Sequence, residues 1–103
     1  MSFEKILEKK GREVTLIKMT QISDAGYISK QETVVTIKAV VLPLTSEERK
    51  FWQEVGIRKA SLKVFTDREL STGWQIEIDG KRYTIRAYEN YEKYRKAILE
   101  AVE

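Results

Sequence analysis

Neither cysteine nor histidine occurs in these 103 residues, and proline occurs once. Without cysteine there is no disulfide framework and no thiolate chemistry, which leaves the compartment open while favouring an intracellular one. Without histidine a general base would have to be Asp, Glu, Lys or Tyr. Aspartate is scarce: Asp24, Asp67 and Asp79 are the only three. The first and last of them sit in turn sequences, where Asp has a structural purpose. Asp67 and Glu69 stand two apart in a loop and read as solvated surface. No glycine-rich phosphate loop, nucleophile elbow or oxygen-rich metal loop occurs. The sequence therefore reads as a non-enzyme with no metal or cofactor. No apolar run approaches the roughly 20 residues of a membrane span, and MSFEKILEKKG, with its acidic residues, is not composed as a signal peptide.

What is present is ordinary for a soluble globular chain: 42% hydrophobic and 34% charged residues, with a net charge of +3. The length suits one domain over residues 1–103 with a modest core. The most ordered stretch is GWQIEIDGKRYTIRAY, residues 73–88. Asp79-Gly80 suits a type I′ hairpin turn, in which both central residues take φ > 0. Counting outwards, Ile78 faces Lys81, Ile76 faces Tyr83 and Trp74 faces Ile85, so the large apolar groups share one face. Glu77 opposite Arg82 and Gln75 opposite Thr84 occupy the other. A slip of one residue would turn every side chain over, so the pattern sets the register.

Elsewhere the signals are more local. Ser2 is placed to cap a short helix through Lys10, with Phe3, Ile6 and Leu7 on one side and Gly11 as the stop. A first strand is expected from Glu13 to Thr20, with Val14 and Leu16 on one face and Ile17 and Met19 on the other. QISDAGYISKQ, around Asp24-Ala25-Gly26, reads as a polar turn region. A second strand, ETVVTIKAVVLPL, follows; its run Val40-Val41-Leu42 is expected to be buried on both faces, and Pro43 to end the ladder. TSEERKFWQEVG reads as a helix with a Thr45–Glu48 capping box and Gly56 just past its end. Phe51, Trp52 and Val55 share a face of it, expected to pack on the sheet, with an exposed patch kept for a partner as the alternative. A third strand covers Lys59 to Thr66, with Ala60, Leu62 and Val64 alternating against Ser61, Lys63 and Phe65. In the tail, Tyr91, Tyr94, Ile98 and Val102 fit a helical period, yet Arg95 to Val102 also reads as a last strand. About five to six strands with a short N-terminal helix and a helix between strands two and three make a mainly β chain, a small antiparallel barrel or rolled sheet.

Basic residues cluster at Lys9, Lys10 and Arg12, at Arg58 and Lys59, and at Lys81 and Arg82. Aromatics gather late in the chain. Lys81, Arg86, Tyr88, Tyr91 and Tyr94 form a candidate nucleic-acid or docking surface, by base stacking plus phosphate contacts. The alternation turns Tyr83 inward and removes it from that set.

In order, GREVTLIKMT, a turn, KAVVLPL, a variable segment, SLKVFTDRELSTGWQIEIDGKRYTIRAY and a short closing segment resemble the head–tail connector proteins of long-tailed phages, the head-completion or stopper family that includes lambda-type head–tail joining proteins. The resemblance runs over about residues 10 to 102. It implies a small β-barrel whose last segment, Arg95 to Val102, is a strand. It also implies a non-enzymatic virion protein forming a ring beneath the portal and its adaptor. Such a protein would sit in the virion neck, assembled in the bacterial cytoplasm. It would present a surface to tail proteins and help retain DNA that passes without sequence-specific binding. The partner or gate segment would be Pro43 to Arg58, with Leu44, Glu48, Lys50, Phe51, Trp52, Val55 and Arg58. The Gln21–Lys30 loop would supply further contacts through Ile22, Asp24, Tyr27 and Ile28. The capping box and Phe51-Trp52 depart from a flexible gate loop, since they favour an ordered helix. The alternatives are a basic β-barrel that binds nucleic acid by itself, and another neck or tail component such as a tail terminator.

Overall fold

Period-two alternation of apolar side chains shapes most of this molecule. A computed structural model describes residues 2–102, apart from the side chain of Asp24. In chain order it contains α1 (Phe3–Lys10), β1 (Arg12–Asp24), β2 (Tyr27–Pro43), α2 (Ser46–Glu54), β3 (Ala60–Thr66), β4 (Gln75–Ile78), β5 (Lys81–Asn90) and β6 (Arg95–Ala101). The six strands close an antiparallel barrel in the order β1-β2-β3-β6-β5-β4, and β4 returns to β1 through Thr15–Ile17. The interior is filled by inward residues of every strand, among them Leu16, Ile37, Val64, Ile76, Ile85 and Leu99. This is the mainly β class that the sequence predicts, with both helices where it places them.

The β4–β5 hairpin has the register counted from its turn: Ile78↔Lys81, Glu77↔Arg82, Ile76↔Tyr83 and Gln75↔Thr84. Asp79 and Gly80 take φ of 51° and 80°, as a type I′ turn requires. Beyond it, Gly73 N–H donates to Ile85 O at 2.9 Å, and Ile85 N–H donates to Trp74 O at 2.8 Å. Two residues thus oppose one, in a G1-type bulge with Gly73 at φ 94°. Arg82, opposite Glu77 in the ladder, reaches instead to Gln75 Oε1 at 3.3 Å and Glu32 Oε1 at 3.6 Å.

Several expectations are corrected. The first strand does not end at Thr20. It runs to Asp24 and pairs without a break with β2, from Arg12↔Ala39 to Asp24↔Tyr27. The polar region QISDAGYISKQ is therefore ladder rather than loop, apart from the two turn residues Ala25 and Gly26 (φ 50° and 85°). Its strand character was hidden because both faces are solvated, so no alternation marks it. Leu42 is not buried, because it lines an open groove beside α1 that no described residue fills. Ala60 does not alternate with Leu62 and Val64: a register shift between Ala60 and Leu62 sends it to a separate cluster with Leu44, Ile57 and Ile98 outside the barrel. Gly11 stops α1 through space, not handedness. Its φ is −75°, and an added Cβ would lie 2.2 Å from Leu7 O. Ser2 stands at the N-cap without a side-chain hydrogen bond.

The ambiguous tail is a strand. Ala97 and Leu99 face the barrel interior while Ile98 faces outwards beneath the segment that carries α2, so the run is buried on both sides. Tyr91 and Tyr94, the start of the apparent helical period, lie in the β5–β6 connection, where Tyr91 N–H donates to Tyr94 O at 2.8 Å. No helix among the described residues is long and apolar enough to cross a membrane.

Candidate interaction surfaces

Strands β1 and β2 outrun the barrel. The last β1–β4 pair is Ile17↔Gln75, and β2 meets β3 only from Val40 to Pro43. From Lys18↔Thr33 to Asp24↔Tyr27 the two strands pair only with each other. At about 3.3 Å per residue this two-stranded arm projects about 23 Å, which accounts for the elongation to 50 × 32 × 28 Å. Every described side chain from Thr20 to Val34 is exposed. Tyr27 is 80% exposed and Ile28 67%, and Ile22 and Val34 are also open. Ile22, Tyr27 and Ile28, three of the four candidate contacts in this segment, thus lie near the arm's tip, Ile22 and Tyr27 on one face of the ribbon and Ile28 on the other; Asp24 belongs to the same turn, its side chain lying outside the described atoms. Near the base Lys18 sits over the Trp74 ring at 5.4 Å, and the Arg82–Glu32 pair ties arm to barrel.

The second surface is the segment between β2 and β3. Thr45 N–H donates to Glu48 Oε1 at 3.0 Å, and Glu48 N–H donates to Thr45 Oγ1 at 3.2 Å, the reciprocal cap that the sequence predicts. Glu48 also accepts from Lys63 Nζ at 2.8 and 3.1 Å, and Lys96 Nζ lies 4.0 Å away. The Lys63 ammonium, then the Thr45 backbone N–H, lower the Glu48 carboxyl from 4.5 to about 2. Glu48 is thus committed to holding α2 on β3 and β6. Leu44 is buried, and Trp52 packs half-buried on the cluster of Ile57, Ala60 and Ile98. The expectation that Phe51 and Val55 pack on the sheet is overturned: they are 55% and 56% exposed. A short helix lying over the outer side of β3 and β6 seats a narrow stripe, here Trp52, and the neighbouring positions rotate away. Phe51 rests edge-on against Trp52 with centroids 5.0 Å apart. Lys50 and Arg58 are exposed, the Arg58 carbonyl accepting from Gln53 Nε2 at 3.5 Å.

The third set is not one surface. Lys81 opens β5 and Tyr88 lies seven residues along it, about 23 Å away at strand rise. Arg86 pairs with Glu100 at 3.4 Å. Tyr94 stacks on Phe3 at 5.0 Å and on Tyr91 at 4.7 Å and leans on Phe65 at 6.1 Å, so it fastens α1 to the barrel. The Tyr91 hydroxyl donates to Glu89 Oε2 at 2.5 Å, which raises its pKa above the ordinary phenol value.

One apolar feature escapes the sequence reading. Phe3, Ile6, Val40, Leu42, Phe65 and Tyr94 line an open groove of about 430 Å³ beside α1. Its residues come from four separate parts of the chain, and only the exposed Leu42, in a run that looked fully buried, could have signalled it. Among the described residues no three Asp or Glu side chains converge to hold a metal ion. No protein-family model matches this chain, and no curated protein matches it significantly.

Proposed function

We propose that this chain is a structural, non-enzymatic phage or prophage virion protein that assembles as a ring at the portal vertex, joins head to tail and helps retain packaged DNA. The observation that carries the reading is the arm: a closed barrel that projects a two-stranded ribbon with Ile22, Tyr27 and Ile28 exposed near its tip has a means of reaching a neighbour. Exposed apolar groups at a projecting tip lower a monomer's solubility, and a partner that covers them removes that cost. The α2 segment supplies a second contact, with Phe51 and Val55 held outwards on a helix fixed by Glu48 and Trp52. Its ordered anchoring fits docking to an adaptor or tail protein better than the motion of a gate. Binding of nucleic acid by the isolated chain has weaker support, since Lys81 stands far along β5 from the tyrosines and Arg86 is paired.

The test uses DNA-filled capsids that lack this protein. With the chain added, co-sedimentation at a fixed stoichiometry and reduced DNA leakage are expected. Binding without retention would leave a docking protein and remove the retention role. No binding, where a known connector binds, would overturn the proposal, and tight salt-sensitive binding of short oligonucleotides would replace it.

A further inference from the structure

We propose that the arm is a strand-addition interface between copies of this chain, the β1 edge of one arm pairing with the β2 edge of the next. The head-to-tail direction rests on the ring reading above; the use of the edges rests on the ladder itself. In a two-residue hairpin loop the flanking pair, here Asp24 and Tyr27, exchanges both backbone hydrogen bonds, and the pattern alternates from there. Applied to the β4–β5 hairpin, this rule makes Ile85 donate to Trp74, as it does at 2.8 Å. In the arm it turns the backbone groups of Met19, Gln21 and Ser23 outwards on β1, and those of Ile28, Lys30 and Glu32 outwards on β2. Each arm therefore offers two antiparallel edges, residues 18–24 on β1 and at least as long a stretch on β2, where no second strand pairs before Val40.

Protein sheets guard such edges with proline, bulges, short strands or charged side chains. This arm has no proline, bulge or short strand, and its charges are of both signs, so they can pair across copies rather than only repel. Its register is unbroken from Arg12 to Asp24, while register shifts do occur in the barrel between Ala60 and Leu62 and between Ile85 and Ala87. From residue 18 to residue 34 there is no proline, the only glycine is in the turn, and two lysines balance one Asp and one Glu. Isoleucine, valine and threonine recur through it, as suits a strand that pairs. Repeating the hairpin's own register between copies puts Gln21 opposite Lys30, Met19 opposite Glu32 and Lys18 opposite Thr33, with no like charges facing each other. Contact between unlike edges leaves one edge free at each end, so it propagates and closes a ring when the rotation permits.

Sedimentation velocity of the intact chain, from low micromolar to about 1 mM, tests the proposal with Gln21→Pro and Lys30→Pro. Each proline removes an outward N–H and leaves the hairpin's own bonds intact; thermal unfolding verifies that both variants fold. The wild-type chain is expected to associate reversibly, and each variant to associate at least about tenfold more weakly. An equal mixture of the two is expected to form dimers and nothing larger, because one usable edge remains on each. The cysteine-free chain gives a second readout: mixed Gln21→Cys and Lys30→Cys copies should oxidise to the mixed dimer. A wild-type chain monomeric throughout, a proline variant that associates like wild type, or crosslinks only between identical copies would each overturn the proposal. Capsid binding is measured separately, so failure of the edge pairing and failure of the ring reading are distinguishable.

Discussion

Glu48 is where a single charge holds a helix to the barrel, and neutralising it gives a sharp test. Its carboxylate takes two contacts from Lys63 Nζ at 2.8 and 3.1 Å while it caps α2 through Thr45 N–H, and its side chain remains 25% exposed. The folded carboxyl titrates at about 2 against an ordinary 4.5. At about 1.4 kcal/mol per pKa unit the full shift corresponds to about 3 kcal/mol, and solvent access to the pair reduces it to about 1–2 kcal/mol. The folded pKa is depressed, so this stabilisation is complete above pH 4.5 and disappears as the pH falls from there through 2. Glu48→Gln keeps a capping acceptor and removes the charge. Urea unfolding followed by tryptophan fluorescence is expected to show the variant about 1–2 kcal/mol less stable at neutral pH, with the gap closing as the solution approaches pH 2. Lys63→Met in the wild-type and Glu48→Gln backgrounds should give non-additive losses. A gap independent of pH, or no gap at neutrality, would refute the reasoning.

Leu99, fully buried between Leu62 and Ile85, should cost about 2–5 kcal/mol as Leu99→Ala by chemical denaturation. Ile98→Ala should in addition raise amide exchange in α2, because Ile98 lies in the cluster outside the barrel on which that segment rests. Gly11→Ala, although its φ suits alanine, should cost about 1–3 kcal/mol through the clash with Leu7 O, seen as a lowered melting temperature. Phe51→Ser with Val55→Ser should cost no more than about 1.5 kcal/mol, mainly the lost edge contact of Phe51 with Trp52, while weakening capsid binding in the co-sedimentation assay.

What could be read in the sequence was whatever one buried face imposes. The β4–β5 register followed from a turn dipeptide and from Ile76, Ile78 and Ile85 facing one core, and α2 followed from a reciprocal cap that needs only local residues. What escaped lay where burial changes sides or vanishes. The arm buries neither face, so its strands carry no period, and strand pairing beyond Thr20 was invisible although Thr, Ile and Val recur there. The Ala60–Leu62 shift moves a side chain from one side of the sheet to the other, which alternation cannot anticipate. For Ala97-Ile98-Leu99, double-sided burial removed the alternation, and tyrosines from the preceding turn completed a spurious helical period. Of the candidate contacts, Tyr27, Ile28, Phe51 and Val55 emerge exposed, while Leu44, Glu48 and Tyr94 prove to be occupied within the fold.

That division bears on why the exposed residues are there at all. The closed barrel holds itself together through Leu16, Ile76, Ile85 and Leu99, none of which approaches the arm's tip or the outer face of α2. Removing Ile22, Tyr27, Ile28, Phe51 and Val55 would take nothing from that core and would make the monomer more soluble. A free two-stranded ribbon is itself only marginally stable in water, and this one is ordered at its base by Leu16, Ile37 and the Lys18–Trp74 contact. The barrel therefore orders the root of the arm and leaves its outer seven pairs uncovered. In the ring proposed above each subunit must meet the next at one angle, and the ordered root of an open ladder would set that angle.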